Sequence, residues 1–185
     1  MSLKSFALAA ALMLAATGAS AQVAEPQSAQ IVAGVDRYLA LREVAFSTHS
    51  EDVEVKARPG EEQVYGVIVE FQANNALITA VGFASGDASV YRSSGGGNIG
   101  GRGEALVAAA AQSLVKRAQV QLSDLPSVQQ YPTPKPGWVC IYALTTKGLR
   151  GVEETRAQVE DPKGSLAPLF AGAQKIVSEF QAAGQ

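Results

Sequence analysis

Three apolar segments separated by very short turns constrain the fold of this chain more than any other feature of its sequence. Alternate side chains in residues 65–71 are apolar, which is the period of a β-strand, and residues 77–84 and 88–93 have the composition of two further strands. The turns between them, residues 73–75 and 85–87, contain the Asn, Gly and Asp residues that favour sharp reversals. Connections this short join antiparallel neighbours, so the sequence predicts a β-meander.

Helical periodicity surrounds the meander. The sequence predicts one helix at about residues 28–44, a second at residues 104–120 and a third that begins near residue 165. Two more strands, at residues 138–144 and about 149–155, are joined by a tight turn. The predicted class is therefore α+β, with a five-stranded, mainly antiparallel sheet made of the β-meander, a crossover helix and a β-hairpin, packed with N-terminal, central and C-terminal helices.

The first residues have the organisation of a cleavable export signal. Lys4 supplies the positive charge, residues 6–16 form an apolar segment too short to span a bilayer, and residues 19–21 (Ala-Ser-Ala) are a small-residue cleavage pattern. We therefore expect a mature chain that starts at Gln22 and is periplasmic or secreted; an uncleaved membrane anchor is the alternative. No later apolar segment has the length of a membrane span, so no integral membrane segment is expected after cleavage.

Three regions follow from these patterns. Residues 1–21 are predicted to be a signal peptide, residues 22–63 an N-terminal helix with an exposed arm, and residues 64–185 the α+β domain. Residues 53–56 alternate apolar and charged side chains, which allows a short edge strand within the arm. Near the other end of the chain, residues 158–164 are predicted to form a polar loop.

Charge and cysteine content limit the classes of partner and chemistry. The net charge is −2 with both signs interspersed, so no surface for nucleic acid is expected. Cys140 is the single cysteine, which excludes an intramolecular disulfide. Its apolar, strand-like surroundings favour a buried thiol, with a nucleophile or an intermolecular disulfide as the alternatives.

A glycine-rich segment, residues 93–103, lies between the meander and the central helix. Its Gly95-x-Gly97-x-x-Gly100 spacing matches the dinucleotide-binding fingerprint, but the parallel β-α-β unit and the acidic residue that this fingerprint requires do not accompany it. No cofactor is therefore expected. Glycines before a helix can direct N–H groups toward an anion, so the predicted ligand-binding residues are Ser93, Ser94, Gly95, Gly96, Gly97, Gly100 and Arg102. The alternatives are a flexible strand-to-helix connection and a close backbone approach to another chain.

Parts of the chain resemble known groups of proteins. Residues 93–100, 144–149 and 168–172 resemble an uncharacterised family of exported bacterial proteins, a resemblance that implies no activity. The order of elements between about residues 65 and 180 is similar to that of longin, roadblock and profilin-like domains, which implies a five-stranded antiparallel sheet between helices. The resemblance to roadblock domains further implies dimerisation and scaffolding.

The sequence contains no recognisable catalytic constellation. His49 is the single histidine, it has no neighbours at metal-ligand spacing, and nucleophile-elbow, metalloprotease and Cys-x-x-Cys patterns are absent. We therefore predict an exported, non-enzymatic α+β domain that acts through protein–protein interaction or self-assembly, without catalytic or metal-binding residues. The alternative is a small-ligand or anion-binding periplasmic domain that uses the glycine-rich segment, and an enzyme is the third possibility.

Overall fold

The computed structural model describes residues 27–56 and 58–184, with side chains from residue 34 onward. The predicted signal peptide, residues 1–21, lies outside the described residues. In the described ranges the chain forms four α-helices and six β-strands. The helices are α1 (Gln27–Ser47), α2 (Ala105–Val120), α3 (Arg156–Glu160) and α4 (Ala167–Ala183), and the strands are β1 (Val64–Ala73), β2 (Ala76–Phe83), β3 (Ala88–Arg92), β4 (Gly97–Ile99), β5 (Trp138–Thr145) and β6 (Gly148–Thr155).

All six strands belong to one antiparallel sheet, in the spatial order β4-β3-β2-β1-β5-β6. In the centre, Val69 of β1 is paired with Ala80 of β2 on one side and with Ile141 of β5 on the other. α2 and the linker after it (residues 121–137) carry the chain from one edge of the sheet back to β5, beside β1. The α+β class and the antiparallel sheet predicted from the sequence are confirmed.

The sheet separates two cores, because successive residues of a strand point to opposite faces. In the first core, α2 and α4 cover Val67 and Val69 of β1, and Phe71 contacts Phe170 edge-to-face at a centroid distance of 5.2 Å. In the second core, α1 and part of the linker cover the opposite face, which includes Ile68. The second core contains all four buried tyrosines of the described residues, namely Tyr38, Tyr65, Tyr91 and Tyr142. None of the helices in the described ranges has the length and apolar character needed to cross a bilayer.

The prediction of five strands is wrong, because the glycine-rich segment itself contributes a sixth strand. β4 pairs with β3, so that Gly97 lies opposite Tyr91 and Ile99 lies opposite Ser89. A Cβ atom on Gly97 would lie 2.3 Å from the carbonyl oxygen of Val90, and the φ angle of Gly97 is 156°. Only glycine allows this close approach to β3. The segment has no apolar alternation, and its pattern therefore predicted a connection rather than a strand.

Two shorter segments also differ from the prediction. Residues 53–55 form a turn and its exit instead of an edge strand, and Val53 is buried in the second core. The predicted polar loop at residues 158–164 is partly helical, because α3 extends into it. Thr155 and Gln158 form a capping box in which each side chain accepts a hydrogen bond from the backbone N–H of the other. The Thr-x-x-Gln spacing of such a box is a helix-start signal in the sequence.

Gly101 tests how tightly the glycine-rich segment packs against the first core. It is buried, and a Cβ atom there would lie 2.3 Å from Cγ1 of Val107 and 2.9 Å from Cζ of Phe180. We expect Gly101→Ala to lower the free energy of unfolding by about 1–3 kcal/mol, because both side chains must move. Gly103→Ala is the control, since no atom lies within 4 Å of its Cβ, and it should change stability by less than about 0.5 kcal/mol. Equal stabilities of the two variants in urea unfolding would contradict this packing.

Candidate functional site

A buried ion pair joins α1 to the centre of the sheet. Glu70 of β1 is fully buried, and Arg42 of α1 is 7% exposed. Nε of Arg42 donates to Oε1 of Glu70 at 2.7 Å, and Nη2 donates to Oε2 at 2.7 Å. Parallel, bidentate contacts of this kind are the strong form of an arginine–carboxylate interaction. Because a buried charge is tolerated only when it is paired, this contact fixes the position of α1 over β1.

Two hydroxyl groups complete the surroundings of the Glu70 carboxylate. Oγ1 of Thr79 in β2 donates to Oε1 of Glu70 at 2.8 Å, and the Tyr38 hydroxyl lies 2.8 Å from Oγ1 of Thr79. Since the single hydroxyl proton of Thr79 goes to Glu70, the Tyr38 hydroxyl donates toward Oγ1 of Thr79 and toward Oε1 of Glu70, which lies 3.4 Å away. Burial and the neighbouring Glu70 charge raise the pKa of Tyr38, so its hydroxyl stays protonated near neutral pH.

The linker also bonds to Arg42, and it packs against α1 beside that residue. Nη2 of Arg42 donates to the carbonyl oxygen of Tyr131 at 2.5 Å, and the rings of Phe46 and Tyr131 stack with centroids 4.0 Å apart. The guanidinium carbon of Arg42 lies 4.8 Å from the centroid of the Phe46 ring, within cation–π range. Tyr142 of β5 donates its hydroxyl proton to the carbonyl oxygen of Pro132 at 3.0 Å. We call Tyr38, Arg42, Glu70 and Thr79, together with the backbone carbonyl group of half-buried Tyr131, the buried polar cluster.

The buried polar cluster has the properties of a structural element. Within the part of the chain that the structure describes, the one buried side-chain polar atom without a hydrogen-bond partner is Oε1 of Gln121, which lies outside this cluster. Glu70 has no exposed surface through which a substrate could reach it. The described ranges also contain no group of three or more His, Cys, Asp and Glu residues able to hold a metal ion.

A cavity of about 130 Å³ lies beside the buried polar cluster, between α1 and the β3–β4 hairpin. We call it the hairpin cavity. α1 contributes Arg37 and Tyr38 to its wall, and β3 contributes Tyr91 and Arg92. Its volume is several times the ~30 Å³ that one water molecule takes in the liquid. The cavity therefore has room for a group of carboxylate or phosphate size.

Three of the seven predicted ligand-binding residues line the hairpin cavity, namely Gly95, Gly96 and Gly97. The N–H of Gly95 is already used, because it donates to the carbonyl oxygen of Arg92 at 3.0 Å in the hairpin turn. A Cβ atom on Gly34 of α1 would lie 3.8 Å from Cα of Gly95. The backbones of the helix and of the hairpin are therefore close together at this end of the cavity.

Three other predicted residues serve the hairpin itself or face solvent. Oγ of Ser93 accepts a hydrogen bond from the N–H of Leu77 at 2.8 Å, and Ser94 is exposed in the turn. The N–H of Gly100 donates to the carbonyl oxygen of Ala88 at 3.0 Å. The structure therefore does not bring these residues together with the three glycines around one cavity.

Arg102, the predicted positive charge of the site, forms ion pairs elsewhere. Its guanidinium nitrogens lie 3.3 Å from a carboxylate oxygen of Glu54 and 3.9 Å from one of Asp87. In the hairpin cavity the positive charges belong to Arg37 and Arg92 instead. Neither of these two takes part in an ion pair among the described residues, and no Asp or Glu lines the cavity.

β4, which borders the hairpin cavity, forms an edge of the sheet with part of its backbone exposed. The N–H of Arg92 donates to the carbonyl oxygen of Gly96 at 3.2 Å, and the N–H of Gly100 bonds to β3 at 3.0 Å. Hydrogen-bonded positions alternate with outward-facing positions along an antiparallel pair. The N–H and C=O groups of Gly97 and Ile99 therefore face away from β3. Gly97 is exposed, and Ile99 is 64% exposed.

The linker bonds to part of the opposite edge of the sheet, which is formed by β6. The N–H of Gly151 in β6 donates to the carbonyl oxygen of Pro126 at 2.9 Å, and the N–H of Val128 donates to the carbonyl oxygen of Leu149 at 3.0 Å. These bonds occupy outward-facing backbone groups of β6. Among the described residues, the linker therefore occupies two backbone groups of the β6 edge, whereas no such bond reaches Gly97 or Ile99 at the β4 edge.

Cys140 is a buried thiol, as the sequence predicted. It has no exposed surface, and its Sγ lies 3.8 Å from the carbonyl oxygen of Pro132. Burial raises the pKa of this thiol to about 11. Because the thiolate is the nucleophilic form of cysteine, the environment of Cys140 suppresses its reactivity.

Sequence reasoning missed the residues that α1 contributes to the site. Arg37 and Tyr38 lie more than fifty positions before the glycines that they approach, and no local pattern links them. One signal was present for the buried polar cluster, because Arg42 follows the helical spacing of the apolar residues of α1. A charged residue on such a stripe indicates a buried partner.

Comparison with known proteins does not extend this description, because no protein-family model, curated protein or solved structure matches the chain.

The Arg42–Glu70 pair provides a test of how α1 is held. Arg42→Leu leaves a buried carboxylate without a counter-charge, and we expect it to lower the free energy of unfolding by about 3–5 kcal/mol. The double variant with Glu70→Leu should recover at least half of that loss, because it removes both charges. Arg58→Leu is the control, since its ion pair with Glu61 is exposed, and it should cost at most about 1 kcal/mol. A double variant as unstable as Arg42→Leu would contradict the ion-pair account.

Cys140 provides a second test, of the burial of the second core. With a pKa of about 11, only about one thiol in a thousand is ionised at about pH 8. We expect iodoacetamide to label Cys140 in the folded protein at least about a hundredfold more slowly than in concentrated urea, because burial also blocks access. Mass spectrometry follows the single adduct, and Cys140→Ser controls for labelling of other residues. Equal labelling rates in the two states would show that the second core is open.

Proposed function

We propose that this chain is an exported, non-enzymatic domain that acts by binding another protein, and that an extended segment of that partner pairs with β4. The export signal predicted for residues 1–21 and the lack of a recognisable catalytic pattern in the sequence support the first part of this proposal. The open edge of the sheet supports the second part. Addition of a strand to an exposed sheet edge is a common way in which domains recognise peptides.

The outward-facing backbone of Gly97 and Ile99 is the observation that carries the proposal. Two residues that alternate along the edge offer two N–H donors and two C=O acceptors to an incoming strand. Gly97 has no side chain, and the Ile99 side chain stands roughly perpendicular to the plane of the sheet, so it does not project over the edge. An incoming backbone can therefore approach β4 without displacing a side chain.

The contrast between the two edges favours a binding role for β4. At the β6 edge, residues of the linker form hydrogen bonds with the outward-facing backbone groups of Leu149 and Gly151. At the β4 edge the described residues provide no such cover for Gly97 and Ile99. An exposed edge offers backbone groups with which another strand can pair. The uncovered groups of Gly97 and Ile99 therefore favour β4 as the edge at which a partner strand is added.

Small-anion binding is a second candidate function. It is favoured by the hairpin cavity, where Arg37 and Arg92 provide positive charge beside the glycine backbone. In this case the ligand would be a free carboxylate or phosphate rather than a protein segment. This candidate site keeps three of the glycines predicted from the sequence, Gly95, Gly96 and Gly97. Its positive charge comes from Arg37 and Arg92 instead of the predicted Arg102.

Ile99→Pro tests the proposed strand addition. Proline removes the outward-facing N–H of residue 99 and leaves the bonds between β4 and β3 in place, so we expect it to weaken peptide binding at least about tenfold. Ile99→Ala is the control, because it removes the side chain and keeps the N–H. Binding is measured by fluorescence anisotropy with a panel of labelled seven-residue peptides in which Thr alternates with Val, and hydrogen exchange of the Gly97 and Ile99 amides locates it.

Three outcomes would contradict the proposal. They are the absence of binding by every peptide at millimolar concentration, equal binding to the Ile99→Pro and Ile99→Ala proteins, and unchanged exchange of the two amides. Light scattering adds a fourth criterion. A wild-type dimer that Ile99→Pro converts to a monomer would assign the edge to a second copy of this chain.

A further inference from the structure

We propose that the segment bound at β4 is acidic, and that the residue opposite Gly97 places its carboxylate in the hairpin cavity. This inference rests on the proposed function, because it specifies the chemistry of the partner. It assigns the recognition of charge to Arg37 of α1 and the alignment of the segment to β4.

The register of β4 determines which side chain of a bound strand reaches the cavity. Gly97 and Ile99 lie opposite Tyr91 and Ser89, and Tyr91 belongs to the second core, on the side of the sheet that α1 covers. Side chains directly opposite each other on neighbouring strands share a face and have Cβ atoms about 4.5–5.5 Å apart. A residue paired with Gly97 therefore extends its side chain on the α1 side, at the position of the hairpin cavity.

The absence of a side chain at Gly97 keeps this route open. Gly97 is required by the close approach of β4 to the Val90 carbonyl oxygen, and it lines the hairpin cavity. A larger residue there would collide with β3 itself, because its Cβ atom would lie 2.3 Å from that carbonyl oxygen. With glycine at position 97, β4 contributes no side chain to the cavity at that position.

The charges around the cavity select an anionic side chain. Arg37 and Arg92 line it, no acidic residue does, and neither arginine forms an ion pair among the described residues. Arg37 is exposed, so its guanidinium can rotate toward a ligand at small conformational cost. Glu or Asp on the partner would complement these charges, whereas Lys or Arg would add a third positive charge.

Two labelled peptides test the inference, both with seven residues in which Thr alternates with Val. One has Glu at the central position and the other has Gln there. We expect the Glu peptide to bind wild-type protein at least about tenfold more tightly, and added sodium chloride should weaken the Glu peptide more than the Gln peptide. A central Gln keeps the size and strand propensity, so the difference isolates the charge.

Two arginine variants identify the source of the preference. Arg37→Ala should reduce the difference between the two peptides to less than about twofold, while binding of the Gln peptide stays unchanged. Arg102→Ala is the matched control, because it removes the same charge from an exposed residue that pairs with Glu54 and Asp87 outside the cavity. It should keep the tenfold preference. Equal loss in both variants would assign the preference to the general field of the protein and overturn the role of Arg37.

The outcomes separate failure of this inference from failure of the proposed function. If both peptides bind equally and Ile99→Pro weakens both, strand addition is supported and the carboxylate site is wrong. If neither peptide binds, both proposals are wrong. Sodium acetate is the remaining probe. If acetate shifts the NMR signals of Gly97 and Arg37 while neither peptide binds, the cavity takes a free anion, and the protein-segment proposal is overturned.

Discussion

The structure depends on one constraint, which is that the charge of Glu70 in the middle of the sheet must be neutralised without water. Arg42 meets that demand from α1, and Thr79 and Tyr38 supply the hydroxyl groups that surround the same carboxylate. Arg42 also donates a hydrogen bond to a carbonyl oxygen of the linker, that of Tyr131. One buried carboxylate therefore sets the position of two segments that would otherwise cover the second core loosely. Apolar packing alone would not define their position so narrowly, since it has little directionality.

The position of α1 in turn creates the hairpin cavity. Tyr38 belongs to both features, because its hydroxyl donates to Thr79 and its side chain lines the cavity wall. Arg37 precedes it on the helix and faces the hairpin. A cavity assembled in this way needs no flexible loop. Its two walls are a helix held by an ion pair and a hairpin held by backbone hydrogen bonds, and such rigidity lowers the entropic cost of binding.

Local patterns in the sequence were sufficient for most of the fold. The meander, the second hairpin and three of the helices follow from apolar periodicity and turn residues, which act between near neighbours on the chain. β4 escaped prediction because its stability comes from pairing with β3, and its composition is that of a loop. Helix α3 could have been predicted from the sequence, since Thr155 and Gln158 have the spacing of a capping box.

Much less of the candidate site could be predicted from the sequence. Gly95, Gly96 and Gly97 were singled out for their composition, and they do line a cavity. The charges around that cavity come from Arg37 and Arg92, because long-range packing of α1 decides which cation meets the hairpin. Arg102 is adjacent to the glycines on the chain, yet its ion pair with Glu54 places its charge elsewhere. Proximity along the chain is a poor guide once the backbone reverses direction.

The buried ion pair also has a consequence for the order in which the protein acquires its structure. Arg42 is separated by 28 residues from Glu70 and by 89 residues from Tyr131. A chain that emerges N-terminus first, from a ribosome or a membrane channel, exposes α1 long before either partner is present. Until then the Arg42 guanidinium keeps its hydration, because docking it without a carboxylate would bury an isolated charge. Helix α1, the first of the described helices in chain order, is thus among the last to reach its final place.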